Sequence, residues 1–197
     1  MYKQKKYEDF AYVLDLFQPQ RRPLQHSITI GKHELIAQLL GEQFFTLLEA
    51  AINEKHKPTV GIRIYIGKDI PRNILRIIRR VRYDDLTQNA KNELPNIVRK
   101  IVETDEARFL EFFNKSTPIT PRMHALELIP GIGKKIAMKI LEEREIQPFT
   151  SYEDLKKRIG LQDPVKALTN RILYELMNTE ERYRVFVREP VTQLKQL

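Results

Sequence analysis

The sequence predicts an α+β protein in which a small β-barrel comes first and an all-α unit of paired helical hairpins follows. Three observations carry this reading. Apolar residues alternate with a period of two over much of residues 1–86; helical spacing replaces that pattern from residue 87 on; and the segment Leu128-Ile129-Pro130-Gly131-Ile132-Gly133-Lys134-Lys135 has the form of a tight turn between two helices.

In the strand half, Phe10, Tyr12, Leu14 and Leu16 alternate with Ala11, Val13, Asp15 and Phe17, the period of a sheet. A loop rich in proline and arginine runs from Gln18 to Pro23, and Ser27-Ile28-Thr29-Ile30, closed by Gly31, is the next strand. The span Glu34 to Ile52 has apolar spacing that also suits a helix, but Gly41 divides it, and two strands around a Gly41 turn are expected. Thr59 to Gly67 alternates between glycines, a strong strand signal, and Ile74 to Tyr83 is a further strand or short helix. Five or six short strands at this spacing suggest a small barrel.

In the helical half, Pro95 suits the first turn of a helix ending near Glu103, and a second helix from about Asp105 to Asn114 puts Phe109, Phe112 and Phe113 on one side. Thr120-Pro121 reads as an N-cap and first helical residue of a helix ending at Pro130-Gly131, with another from Gly133 to about Arg144. Thr150 to Glu153 has the spacing of a capping box, and Asp163-Pro164 opens the last long helix. Tyr183 to Val187 is strand-like and suits an edge strand or a loose tail. The expected division is therefore residues 1–86, a connector at 87–118, a hairpin unit at 119–178 and a charged tail at 179–197.

Composition narrows the function. Of 197 residues, 42% are hydrophobic, enough for a packed core, and the net charge of +8 favours polyanionic partners. Residues 1–86 carry 15 of the basic and 10 of the acidic side chains, so most of the surplus lies there. No apolar run approaches the roughly 20 residues of a membrane span, and the basic N-terminus lacks a signal-peptide core. The absence of cysteine excludes disulfides, thiolate zinc sites and iron–sulfur clusters, and fits a cytoplasmic location.

The turn at Pro130 has a definite chemistry. Pro130 stops the first helix; Gly131 and Gly133 give backbone freedom and leave room for a ligand; Ile132 anchors the turn between the helices. Gly133 starts the second helix, whose free amides and dipole favour an anion, and Lys134, Lys135 and Lys139 add positive charge there. The expected ligand is a backbone phosphate of DNA or RNA, gripped without reading sequence. The plain alternative is a tight turn between packed helices. A weaker copy follows, with Ile159-Gly160-Leu161-Gln162-Asp163 as its turn; one glycine is missing and Asp163 stands where a cation would help, so phosphate contact there is left open.

On these motifs, and on Phe149-Thr150-Ser151-Tyr152-Glu153-Asp154-Leu155, residues 119–178 resemble the tandem helix-hairpin-helix domain of many DNA repair, replication and recombination proteins. With Val60 to Gly67 and Val81 to Thr87, the chain as a whole resembles an uncharacterised, mainly archaeal family read as nucleic-acid-binding. In that family an OB-like barrel precedes the helix-hairpin-helix unit. The resemblance thus implies an N-terminal small OB-like β-barrel followed by an all-α tandem helix-hairpin-helix domain, and no established activity.

OB-like barrels bind single strands with basic grooves and stacking aromatics. The candidates here are Arg76, Arg79, Arg80 and Arg82, which interleave with Ile77, Ile78 and Val81 near Tyr83, with Arg63 and Tyr65 beside them. The same charges also suit a merely solvated face. Phe10, Tyr12, Phe44 and Phe45 are expected in the core. No catalytic signature stands out. The four histidines are scattered, no phosphate-binding glycine fingerprint is present, and Asp84-Asp85 suits a turn or helix start better than a metal site. The expectation is a non-catalytic nucleic-acid-binding protein without cofactor or metal. The alternatives are a glycosylase- or nuclease-like repair protein or accessory factor, or a protein-binding scaffold of a ribonucleoprotein complex. The stretch Glu142 to Phe149 lacks the aspartate that glycosylases carry after the hairpin.

Overall fold

The ambiguity of the span Glu34 to Ile52 has its cause in burial: both faces of its strands are covered, so no alternation survives. The computed structural model describes residues 7–19 and 30–188. The strand expected at 27–30 and the Pro/Arg loop lie mostly outside those residues, as does the end of the tail.

Strands β1 (Phe10–Phe17), β2 (Glu34–Gly41) and β3 (Leu47–Asn53) form an antiparallel meander, with β4 (Arg63–Tyr65) on the free side of β1 and β5 (Leu75–Arg80) on the free side of β3. The turn at Gly41 is where the sequence puts it. The order β4-β1-β2-β3-β5 is that of an open sheet: β4 and β5 are edges and do not pair. The expected closed barrel is therefore corrected. The strand expected over Thr59 to Gly67 keeps only three residues. Gly61, at a φ of 80°, turns the chain before it, and residues 66–74 leave the sheet in turns.

One face of this sheet is an apolar cluster of Ala11, Val13, Ala37, Leu39, Leu48, Ala50, Ile52 and Leu75. The other carries a polar row of neighbouring partners, Asp15, Gln38, Glu49 and Arg79. Gln38 Nε2 donates to Glu49 Oε1 (3.1 Å) and to the Asp85 carbonyl (3.0 Å), while its Oε1 accepts from the Thr87 amide (2.8 Å). Thr87 Oγ1 donates to Asp15 (2.6 Å) and accepts from the Ala90 amide, so the row also caps the next helix. That helix, α1 (Gln88–Thr104), starts well before Pro95, which lies inside it. The 3-10 turn Tyr83–Asp85 precedes it; Asp85 accepts from the Arg82 amide, the helix-start role expected of Asp84-Asp85.

Helix α2 (Glu106–Lys115) buries Phe109, Leu110 and Phe113. The helix expected from Thr120-Pro121 is absent. Strands β6 (Pro118–Thr120) and β7 (Met123–His124) form a small hairpin there, and only a 3-10 turn, Ala125–Leu128, precedes Pro130. His124 fixes that turn: its Nδ1 accepts from the Leu126 amide (3.1 Å), and the Glu127 carboxylate accepts from the His124 amide (2.8 Å). Then come α3 (Lys134–Ile146), α4 (Tyr152–Ile159) and α5 (Pro164–Met177). The cap of α4 is shifted by one residue from the expected box, with Ser151 Oγ accepting from the Asp154 amide. Asp163 accepts from the Lys166 amide and caps α5.

Residues 183–187 form no strand. The buried Glu175 carboxylate gathers the amides of Val185, Phe186 and Val187 at 2.9 to 3.1 Å and holds them as a bent segment. A second buried carboxylate, Glu8, does the same for Gln43, Phe44 and Thr46 in the β2–β3 turn. The chain divides into two compact units, one of residues up to Ile97 together with those from Glu175 on, the other Val98–Tyr174. The second is thus inserted between two parts of the first.

Candidate functional site

The turn before α3 has the local geometry that its sequence requires. The Ile132 amide donates to the Ile129 carbonyl (3.0 Å), closing the turn, and the Ile132 side chain is buried. Gly131 sits at a φ of 87°, where a side chain would be strained. Gly133 has an ordinary φ of −87°, so its backbone does not require glycine. What distinguishes it is space: a Cβ built on Gly133 would meet nothing within 4 Å. The first bond across α3 runs from the Ala137 amide to the Gly133 carbonyl (2.9 Å), so the amides of the first turn lack intrahelical acceptors.

Around this open helix start, Gly131, Gly133, Lys134, Lys135 and Lys139 are exposed, and the first turn holds no acid. None of the three lysines has an acidic partner among the described residues. Lys135 and Lys139 are four residues apart and so share a helix side. The structure thus brings together all six residues singled out in this segment. The second turn differs as its sequence implies. Gly160 is left-handed at a φ of 83°, and Asp163 spends its carboxylate on the α5 cap.

The arginines of β5 are not on one side. A register shift opposite Glu49 and Ala50 makes Arg76 and Arg79 partners of Ala51 and Glu49 on the polar face, and Ile77 and Arg80 partners of Ala50 and Leu48 on the apolar face. Two of them carry acids that the local sequence does not show. Arg79 pairs with Glu49 (2.8 Å) and Arg76 with Glu34 (3.4 Å). Arg63 pairs with Glu42 (2.7 Å) and stands over the Phe10 ring. Tyr65 donates to Asp69, which holds its hydroxyl pKa up. Arg82 closes the turn into α1. Phe45 and Tyr12 are in the core as expected, and Phe10 and Phe44 are half-buried.

A cleft of about 840 Å³ opens in the sheet unit, lined by the segment leaving β4, by β5 and by Arg188. Lys68, Arg72 and Arg188 line it beside Arg76 and Arg80. Sequence reasoning missed these three, since nothing local to them signals a shared cleft. Among the described residues no group of three or more His, Asp or Glu is placed to hold a metal, and no helix is long and apolar enough to cross a membrane.

An open five-stranded antiparallel sheet joined to a helical unit defines a mixed α+β protein, and residues 7–188 match the family model described as "Protein of unknown function (DUF655)". The chain belongs to that family. It is similar to the crystal structure of Af1531 from Archaeoglobus fulgidus, with a TM-score of 0.76 and 44% identity over 92% of this chain and 100% of that one. It is 39% identical over 187 residues to the uncharacterized protein MJ0038 of Methanocaldococcus jannaschii, which covers 94% of this chain and 82% of that relative. A shorter stretch of 95 residues is 30% identical to a DNA polymerase III PolC-type of Staphylococcus saprophyticus; it spans 43% of this chain and 6% of the polymerase.

Proposed function

We propose that this protein binds nucleic acid without catalysis, gripping backbone phosphates through a helix-hairpin-helix turn at Gly131 to Lys135, with the sheet unit as a second, OB-like contact surface. The observation that carries the reading is the open start of α3. A buried isoleucine fixes the turn, a glycine leaves the approach clear, free amides point out of a 13-residue helix, and lysines surround them with no acidic partner among the described residues. Main-chain amides at a helix start recognise a phosphate and no base, so sequence preference is expected to be slight. The partial likeness to a DNA polymerase agrees with this class of ligand.

The test is a salt titration of binding to single- and double-stranded DNA and RNA. Affinity is expected to fall steeply with salt. Replacing Lys134 and Lys135 by Glu should weaken binding to all sequences alike and lower the salt slope by about one for each phosphate no longer neutralised. A flat salt response, or no binding at low salt, would overturn the reading.

A further inference from the structure

The five-stranded sheet has two open edges, and they are guarded unequally. Strand β5 bends at a register shift opposite Glu49 and Ala50, and half of its residues are arginines. A copy of β5 laid antiparallel across its middle would set Arg76 against Arg79, and like charges directly opposed are destabilising. Bulges and edge cations are common guards against pairing between molecules. Strand β4 has neither guard. It pairs with β1 in an unbroken register, Phe10 with Tyr65, Ala11 with Ile64 and Tyr12 with Arg63. Its one cation, Arg63, is neutralised by Glu42, through Nε at 2.7 Å and Nη2 at 2.8 Å. Apolar surface is also left open here. Tyr65 is 39% exposed, and Val60 and Ile62, just before the strand, are each 48% exposed.

The backbone shows which polar groups remain to be paired. The Val13 amide donates to the Ile62 carbonyl (3.0 Å), and the Ile66 amide donates to the Asp9 carbonyl (2.8 Å). Residues 62, 64 and 66 therefore turn their polar groups toward β1. Alternation turns the amides and carbonyls of Arg63 and Tyr65 outward, where no strand meets them among the described residues.

The side chains of this edge are complementary to a second β4. Laid antiparallel about Ile64, the copy places Arg63 opposite Tyr65 on either side of a two-fold axis, and each such pair can exchange two backbone hydrogen bonds. Arg63 and Tyr65 share one sheet face, since their β1 partners, Tyr12 and Phe10, are two residues apart. On that face the Arg63 guanidinium, 3.5 Å from the centre of its own Phe10 ring, meets the Tyr65 ring of the copy. The Asp69 carboxylate, which accepts from the Tyr65 hydroxyl, adds an opposite charge beside that ring. Ile64 meets Ile64 on the other face.

We propose that the free edge of β4 is a self-association surface, on which two copies of this chain pair antiparallel about Ile64 and join their five-stranded sheets into one. A three-residue strand buries little area, so the pair is weak and reversible and forms at high protein concentration. The inference is independent of the nucleic-acid reading.

The experiment follows sedimentation of the full chain, freed of nucleic acid, from about 10 μM to about 1 mM, the range open to a small contact. Dimer is expected to grow over that range. It should grow further with added salt, because each copy carries a net charge of +8 and salt screens the repulsion. In amide exchange, protection of Arg63 and Tyr65 should rise with protein concentration, while that of Ile78 and Arg80 on β5 stays unchanged. Tyr65→Lys sets a cation against Arg63 of the copy in both pairs and should weaken association by about tenfold. Tyr65→Glu sets an anion there and should keep association within about threefold of wild type. Both variants lose the same contacts within the chain, so their difference reads the contact between copies. A chain that stays monomeric to about 1 mM would leave the edge to a strand of another protein and overturn the proposal. Association that collapses with salt, the mark of copies bridged by a polyanion, would also overturn it, as would an equal response to Tyr65→Lys and Tyr65→Glu.

Discussion

The sheet unit holds most of the net positive charge, yet the start of α3 displays its cations more openly than the paired arginines of the sheet do. In the sheet, Arg63, Arg76 and Arg79 are matched by Glu42, Glu34 and Glu49, each brought in from another strand or turn. At the start of α3, Lys134, Lys135 and Lys139 stand exposed with no acid beside them among the described residues. The difference teaches that net charge counted along a sequence is not charge available to a ligand. In a sheet, the neighbours that neutralise an arginine are dozens of residues away; on a helix start, they are the next few residues, and here they are not acidic.

The two regions also use glycine in opposite ways, which gives the sharpest means of breaking the comparison. A Cβ on Gly41 would collide with the Glu8 carboxyl, which is buried and committed to three amides. Gly41→Ala is therefore expected to destabilise the sheet unit by about 3 kcal/mol, from displaced packing and orphaned amides, as read from the urea midpoint. A loss of well under 1 kcal/mol would show that Glu8 can swing clear. Gly133→Leu is expected to behave in the reverse sense. Its side chain enters open space, so stability should fall by about 1 kcal/mol or less, the cost of a poorer N-cap. Affinity for nucleic acid should fall by about tenfold or more, because the approach to the amides is blocked. Unchanged affinity in a folded Gly133→Leu protein would make the turn purely structural.

The smallest effect is one of pH and belongs to the helical unit. Burial, and then the Arg144 charge, hold the His124 pKa below its ordinary value of 6.5. Above that value the ring is neutral in both the folded and unfolded chain. As pH falls through it, the unfolded chain takes up the proton first, so stability is lost progressively down to the depressed folded pKa. Melting followed from about pH 8 to about pH 5 should show this decline, and His124→Asn, which can still cap the turn, should flatten it. An identical decline in the variant would place its origin elsewhere.

Much of the architecture was legible, and what was hidden has physical causes. The Gly41 turn, the helices α2 to α5 and the buried Ile132 follow from periodicity and from residues that stop or cap helices. Barrel closure was not legible, because whether β4 and β5 pair depends on the path of residues 66–74 and on Gly61, not on how apolar the strands are. The start of α1 was obscured because Pro95 suggests a first turn, while the true cap, Thr87, acts through a row of side chains on three strands. The helix expected before Pro130 gave way to a hairpin and a 3-10 turn held by His124 and Glu127. Of the candidate site, the residues around Gly133 were readable because they are consecutive. The Arg80–Arg188 cleft was not, because 107 intervening positions separate the two arginines.

The clamp at Glu175 bears on the order in which the molecule can be completed. During synthesis the strands β1 to β5 emerge first, and the inserted helical unit follows. The segment that docks on the β2–β3 turn is made after both, since Arg188 reaches Phe44 only once the whole of α5 exists. A chain halted after α1 would carry every strand of the larger sheet and still lack one side of that cleft. The helical unit, whose residues are contiguous, has no such wait. Folding on the ribosome is thus expected to finish on the older half of the chain, with residues made after the helical unit closing it.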